Sequence, residues 1–344
     1  MYRFILTNIK KKYKFIQFLI FYTYCVYLAV HFNVTIPMIY TLGETVLDII
    51  IKSMDKVQMR PGGSMLNTAV SLGRLGLSVE HISVLSTDQA AALLIGFLKE
   101  NGVGSQFMYQ DASLKTNLAL AFLDEKNNAH YSFYKNKSPK TPEIPLPDPI
   151  KNDFILFGSF FSLNAEIHPQ VMNWLQQAKQ NNALILYDPN FRKPHLPQLT
   201  SLMPLIEQNL EMADIIKASD EDLENILGVQ GVDKAWEKMQ AYHPKGLIYT
   251  MGKDGAWLVT PEHRVFVGAK NIKPVSTIGA GDTFSAGILF YMQLMLERQT
   301  KVEQFSDSHW KTCLQLANEF AAQTCQSYDN YLSVDYAKNI SHVQ

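Results

Sequence analysis

The sequence predicts an α/β fold, with a mostly parallel central sheet, helices on both of its faces and a small β lid. Three observations carry this. After residue 38, short aliphatic or β-branched runs alternate with helix-like stretches, and such alternation requires crossover connections that cover a parallel sheet. Two stretches, 44–60 and 116–135, depart from it with period-two patterning, which marks half-buried ribbon. A chain of 344 residues, 47% hydrophobic and 18% charged, can also bury a large core, which excludes disorder and disulfide-stapled miniproteins.

In chain order, Met38–Leu42 reads as the first core strand and ETVLDIIIKSMDKVQMR (44–60) as the first ribbon. Pro61–Gly76 leads from paired glycines into a helix, and His81–Leu85 is the next strand. Residues 116–135 form the second ribbon, turning at Glu125-Lys126-Asn127-Asn128. The five prolines of Ser138–Pro149 forbid a helix or central strand and mark a surface connector. Phe154–Gly158 and Ala183–Tyr187 are strands. Between them Pro169 opens an amphipathic helix with Val171, Trp174, Leu175 and Ala178 on one face, closed by Asn181-Asn182. Asp214–Lys217, Leu247–Thr250 and Ala256–Val259 complete the strands. No internal repeat is present.

Lys and Arg number 31 against 32 Asp and Glu, a net charge of −1, which excludes a basic nucleic-acid binder. The average hides an asymmetric front end. Met1–Pro37 carries Arg3, Lys10, Lys11, Lys12 and Lys14 and no acid, followed by the apolar, aromatic run Phe15–Val34. That run approaches the length of a membrane anchor, but Gln17, Thr23, His31 and Asn33 interrupt it. Met38 stands directly before Ile39–Glu44, so translation from an upstream start is the preferred account of 1–37, with an anchor as the alternative. The body, 38–344, is expected to be cytoplasmic. Cys25, Cys313 and Cys325 form no CxxC pair, so neither a zinc site nor a disulfide framework is expected.

The strongest chemical signal is Thr277-Ile278-Gly279-Ala280-Gly281-Asp282-Thr283, leading into the apolar run Ile288–Leu296. Small residues before a helix leave backbone N–H groups aimed outward, ready for a phosphate. An Asp in that first turn can accept a proton from a neighbouring alcohol. A plain glycine turn with a helix-favouring Asp gives the same letters. Neither the dinucleotide fingerprint nor the Walker spacing fits. The second site, Pro61-Gly62-Gly63-Ser64-Met65-Leu66-Asn67, pairs glycines that admit close backbone approach with an amide able to bond a hydroxyl.

Together, and with Leu42-Gly43-Glu44 through Asp48, these two sites resemble the ribokinase-like (PfkB) carbohydrate kinases, closest in wording to fructokinases. The resemblance runs from about Met38 to the C-terminal helices. It implies a ribokinase-like fold and an ATP-dependent sugar kinase that transfers the γ-phosphoryl group to a sugar hydroxyl, with fructose the first substrate to test and Mg2+ as cofactor. It implies that Asp282 is the base, and that the N–H groups of Gly279, Ala280 and Gly281 form an anion hole. Asp48, Gly62, Gly63 and Asn67 would hold the sugar, Lys135 would reach it from the ribbon, and Arg192 of Asp188-Pro189-Asn190-Phe191-Arg192 would pair with ATP phosphate or an acidic substrate group.

On the nucleotide side, Thr250-Met251-Gly252-Lys253-Asp254-Gly255 looks like the family's T-x-G-x-x-G turn, with Thr250, Gly252 and Gly255 at the phosphates. The segment holding Lys217, Ser219 and Asp222 has Ser-x-x-Asp where many members have Asn-x-x-Glu, so Asp222 would meet the metal only through water and no residue would bind it directly. Ser276 replaces the usual Asp, and Gln323–Ser327 lacks the usual Gly-Ala turn; both border the family's monovalent-cation loop, so potassium activation is expected to be weak or absent. A 2-keto-3-deoxygluconate or nucleoside kinase, and a catalytically silent scaffold, remain open beside the fructokinase-like reading. Expected partners are the sugar and ATP, with a homodimer through the lid sheet.

Overall fold

The computed structural model describes residues 37–341 except 124–128 and 136–139. The strands are β1 (Ile39–Leu42), β2 (Val46–Ser53), β3 (Lys56–Gly62), β4 (Val79–Ser86), β5 (Val103–Gly104), β6 (Met108–Asp111), β7 (Leu118–Leu123), β8 (Ala129–Tyr134), β9 (Phe154–Gly158), β10 (Leu184–Asp188), β11 (Ile215–Ser219), β12 (Gly246–Thr250), β13 (Ala256–Val259) and β14 (Arg264–Val267). The helices are α1 (Ser64–Arg74), α2 (Gln89–Glu100), α3 (His168–Gln180), α4 (Leu199–Met212), α5 (Asp220–Leu227), α6 (Val232–Met239), α7 (Ala280–Glu297), α8 (Asp307–Thr324) and α9 (Val334–Ser341).

The main sheet runs β14-β13-β12-β11-β10-β9-β1-β4-β5, with β6 also paired to β4. Pairing is parallel from β12 to β5 and antiparallel at β13 and β14. Successive strand residues point to opposite faces, and the core divides accordingly. Ile39, Leu156, Leu186 and Ile248 pack with Leu66 of α1, Leu289 of α7 and Leu314 of α8. Tyr40, Ile155, Ile185 and Leu247 pack with Leu175 of α3, Ile206 of α4 and Leu223 of α5. Helices therefore cover both faces, and the central strands are buried throughout, which explains their unbroken apolar reading.

Helix α3 buries the expected Val171, Trp174, Leu175 and Ala178. The proline connector lies across it: Trp174 Nε1 donates to the Pro147 carbonyl at 2.7 Å and Gln170 Nε2 to that of Pro142 at 2.8 Å. Side chains thus satisfy carbonyls for which a proline-rich segment has few N–H partners.

The two ribbons join in one four-stranded sheet, β3-β2-β7-β8. β2 pairs antiparallel with β3 and parallel with β7, which pairs antiparallel with β8. The expected turn at 125–128 lies outside the described residues, as does the basic and aromatic prefix through residue 36. Among the described residues no helix is long and apolar enough to cross a membrane. Where the first ribbon leaves β1, the buried His81 imidazole bonds Thr41 Oγ1 at 2.8 Å and Thr45 Oγ1 at 3.1 Å. Burial pushes its pKa down to about 3, so a neutral ring ties β1 and β4 to the ribbon sheet.

Strands β5, β6 and β14 had no counterpart in the sequence reading. β5 has two residues, β6 reads Met-Tyr-Gln-Asp, and β14 has Arg264 at its start. Each is short and near an edge, where less burial leaves a weaker apolar signal.

Candidate active site

The parallel strands β10, β11 and β12 end together at Asp188, Ser219 and Thr250, the edge where open α/β sheets bind ligands. The N-terminus of α7 lies against that edge. Its N-cap, Gly279, has φ +79°, and a Cβ there would overlap the Asn330 carbonyl. Only glycine meets both demands. Of the three N–H groups expected to face an anion, that of Ala280 donates a long bond to the Thr277 carbonyl, 3.3 Å. Those of Gly279 and Gly281 have no partner among the described residues. The turn thus qualifies the expectation for Ala280, whose amide helps to close the loop.

Asp282 lies in the first turn of this helix and is half-buried. Its Oδ1 accepts from Ser64 Oγ at 2.6 Å and its Oδ2 from Asn67 Nδ2 at 2.8 Å, while Thr68 Oγ1 donates to its carbonyl at 2.9 Å. Three residues of α1 therefore orient one residue of α7. Each carboxylate oxygen retains a lone pair for a further hydroxyl. Gly63, the N-cap of α1, has φ +123° and no space for a Cβ beside the Glu44 carbonyl, which brings the start of the ribbon sheet against α1.

Asp48 of β2 completes this side. A Cβ on Gly62 would strike its carboxylate, and Asn330 Nδ2 donates to its Oδ2 at 3.2 Å. Burial, with the Asp282 charge nearby, outweighs that hydrogen bond and pushes the Asp48 pKa up to about 7.

On the other side of Asp282 opens a cavity of about 670 Å3 that reaches Thr250, Gly252 and Gly255. Gly252 and Gly255 both have positive φ, and Gly255 has no room for a Cβ beside the Val267 carbonyl. Lys217 lines the cavity floor, 94% buried, with its Nζ 2.8 Å from Asp188 Oδ2. Burial disfavours this charge, but Asp188, with Asp222 and Asp282 beyond it, holds the Lys217 pKa above its ordinary value. The ammonium lies 3.3 Å from the position a Gly281 Cβ would take, so it adds positive potential beneath the helix turn.

Three expected site residues have other engagements. Asp222 closes a capping box on α5: its Oδ2 accepts from Ser219 N–H at 2.9 Å and Oγ at 2.7 Å, and its Oδ1 from Phe191 N–H at 2.6 Å. Three of roughly four lone-pair positions are used by protein donors, and the buried carboxylate ties the loop after β10 to α5. Lys135 pairs with Glu44 at 2.9 Å, at the ribbon edge, and neither Asp48 nor Asp282 is its partner. Arg192 is exposed and lines the large cavity with Ser219 and Thr250, a cavity that Asp48 does not line. The sequence motifs assign no role to Ser64 or Asn330; Ser64 lies within Pro61–Asn67, whereas Asn330 carries no local signal.

A parallel sheet, a glycine-capped helix holding an oriented carboxylate, and a cavity of about 670 Å3 above the strand ends are parts that suit a group-transfer enzyme of the α/β class. Residues 37–335 match the PfkB family of carbohydrate kinases, and the chain belongs to that family. It is 31% identical over 255 residues to fructokinase-2 of Solanum lycopersicum, covering 71% of this chain and 77% of that one. It is 27% identical over 302 residues to the probable fructokinase-2 of Arabidopsis thaliana, covering 83% and 89%. Among solved structures it is similar to the Vibrio cholerae fructokinase with fructose, ADP and calcium bound, at a TM-score of 0.76, 20% identity and 88% and 98% coverage. The aminoimidazole riboside kinase of Salmonella enterica gives 0.74, 21%, and 88% and 99%. The protein is thus a phosphotransferase with a sugar hydroxyl as acceptor and a ribokinase-like fold.

Proposed function

We propose that the protein phosphorylates fructose with ATP. The observation that carries this is the position of Asp282, a carboxylate oriented by Ser64 and Asn67 that lines the 670 Å3 cavity and lies near Asp48. Asp48 and the unpartnered Oδ1 of Asn67 offer acceptors that suit the hydroxyl donors of a sugar. In this reading Asp282 takes the proton of the attacking hydroxyl, and the free N–H groups of Gly279 and Gly281, with Lys217 below, stabilise charge on the transferring phosphoryl group. Phosphoryl transfer depends chiefly on such positioning and electrostatics. Arg192 and the Thr250–Gly255 turn hold the ATP phosphates. The ribbon sheet acts as a lid that excludes water and limits ATP hydrolysis.

Magnesium enters this scheme with the nucleotide. Among the described residues no group of three or more His, Cys, Asp or Glu is arranged to hold a metal, and Mg2+ held by phosphate oxygens and waters needs no such cage. It supplies charge neutralisation on the phosphates, and Asp222 has one lone-pair position left for a metal-bound water. Potassium activation is expected to be weak. Ser276 offers a hydroxyl, engaged by Ile278 N–H at 3.2 Å, in place of a carboxylate. Replacing potassium by a bulky organic cation is expected to change kcat by less than about twofold, well below what loss of a bound counter-charge costs.

The nearest rival, a sugar-acid kinase, needs a free cation near Asp48. Arg60 is paired with Asp329, Lys135 with Glu44, and Arg192 lies toward the other cavity, which favours a neutral sugar. Coupled ATP consumption against sugars, nucleosides and sugar acids tests the choice; kcat/KM is expected to be highest with fructose, and a sugar acid in that place overturns it. Exposed Val57, Met59 and Phe122, on one face of the ribbon sheet, support a second copy of the chain as its cover.

The raised pKa of Asp48 gives sugar binding a pH dependence. Ionised Asp48 accepts hydroxyl donors better than its protonated form, so the sugar KM is expected to fall as pH rises through about 7. Asp48→Asn should remove the inflection and raise KM at every pH. Its stability effect has the opposite direction. The folded chain holds this proton more tightly than the unfolded chain, so the Asp48 contribution to stability is lost as pH rises from about 3.8 to about 7.

A further inference from the structure

The loop from Asp329 to Leu332 occupies an unusual position. Asp329 pairs with Arg60 of β3, and Asn330 donates to Asp48 of β2. Its backbone carbonyl closes against Gly279. The next residues anchor it to α1: the Arg74 guanidinium lies 4.6 Å from the Tyr331 ring centre, and the Leu332 N–H donates to Ser71 Oγ at 3.2 Å. One short segment thus touches the ribbon sheet, the first glycine helix and the turn that starts α7.

Asn330 is 98% buried, yet its Oδ1 has no hydrogen-bond partner among the described residues. Asn330 Nδ2 faces Asp48 Oδ2, an acceptor when ionised, which directs the amide carbonyl side away from it. The same condition holds at Asn67, whose Nδ2 is given to Asp282 and whose buried Oδ1 is also unpartnered. Two amides therefore each spend a donor on one of the two carboxylates and keep a dry acceptor. A buried acceptor is costly unless a donor arrives, and a polyol brings donors in quantity.

We infer that Asn330 is a sugar-contacting specificity residue: its Oδ1 accepts a hydrogen bond from one substrate hydroxyl while its Nδ2 fixes Asp48 for a neighbouring one. The inference rests on the sugar-kinase reading and deepens it, because the site then recognises at least two hydroxyls through the lid-side residues and disfavours an anionic group there. The Asp329–Arg60 pair holds Asn330 in register with β3, so sugar recognition depends on the ribbon sheet being seated on the C-terminal loop.

Steady-state kinetics of Asn330→Ala with fructose and its monodeoxy analogues tests this, with Asn330→Leu, closer in volume, as the second variant where melting shows the first unfolded. The sugar KM is expected to rise about tenfold or more, with kcat within about threefold and the ATP KM unchanged. For one monodeoxy fructose, the loss in kcat/KM on substitution should be clearly smaller than with fructose, because the hydroxyl that donates to Asn330 is already missing and only the loss of the bond that fixes Asp48 remains. An unchanged sugar KM, or an equal loss with fructose and every analogue, overturns the role of Asn330. If the unaltered enzyme phosphorylates neither fructose nor any other sugar, the sugar-kinase reading itself falls.

Discussion

Asp282→Asn is expected to lower kcat by about 10²- to 10⁴-fold, the range typical of removing a positioned general base. Sugar affinity should change far less. The carboxylate accepts from both Ser64 and Asn67, whereas an amide offers one acceptor and turns an N–H2 toward the other donor. Asn67 has an unpartnered Oδ1, so a flip of its amide can restore the lost bond and keep the two helices together. Coupled turnover and calorimetric sugar binding, measured on the same preparation, separate the two effects. Near-normal turnover would remove Asp282 from the reaction.

Gly279→Ala is expected to reduce kcat by about 10²-fold or more, comparable to the loss of one anion-hole donor. The added methyl must avoid the Asn330 carbonyl and adopt φ +79°, a conformation that alanine resists. Because the displaced carbonyl belongs to the residue that holds Asp48, the sugar KM should rise as well. The melting temperature should fall by a few degrees, as expected for a destabilisation of about 1–2 kcal/mol. A substitution at Gly268, whose Cβ would meet nothing within 4 Å, provides the comparison.

Much of this architecture was legible in the residue order because the central strands are covered on both faces. Ile155 and Leu156, adjacent in sequence, serve opposite cores, so both must be apolar and the strand reads as a continuous run. The ribbons were legible for the opposite reason, since one half-exposed face produces alternation. Edge strands such as β6 lack both signals.

The two glycine sites were visible because backbone demands at Gly63 and Gly279 exclude other residues, leaving a mark that sequence retains. What joins them was hidden. The bonds from Ser64 and Asn67 to Asp282 cross more than two hundred residues, and no local spacing announces such a pairing. Asn330 is less visible still, since an Asn in a polar loop has many ordinary explanations. The capping box at Ser219 and Asp222 is a local pattern, yet its cost to metal access appears only when the Phe191 N–H is seen on the remaining carboxylate oxygen.

The central claim is that Asp282 and the α7 turn drive transfer from ATP to a sugar hydroxyl. Its most direct test is to measure ADP formation by the purified protein with Mg-ATP, with and without fructose, and to identify the sugar product by mass. ADP is expected in equal amount to a fructose monophosphate, with little ADP when the sugar is omitted. ADP release that is indifferent to sugar, or no release with any sugar offered, would contradict it.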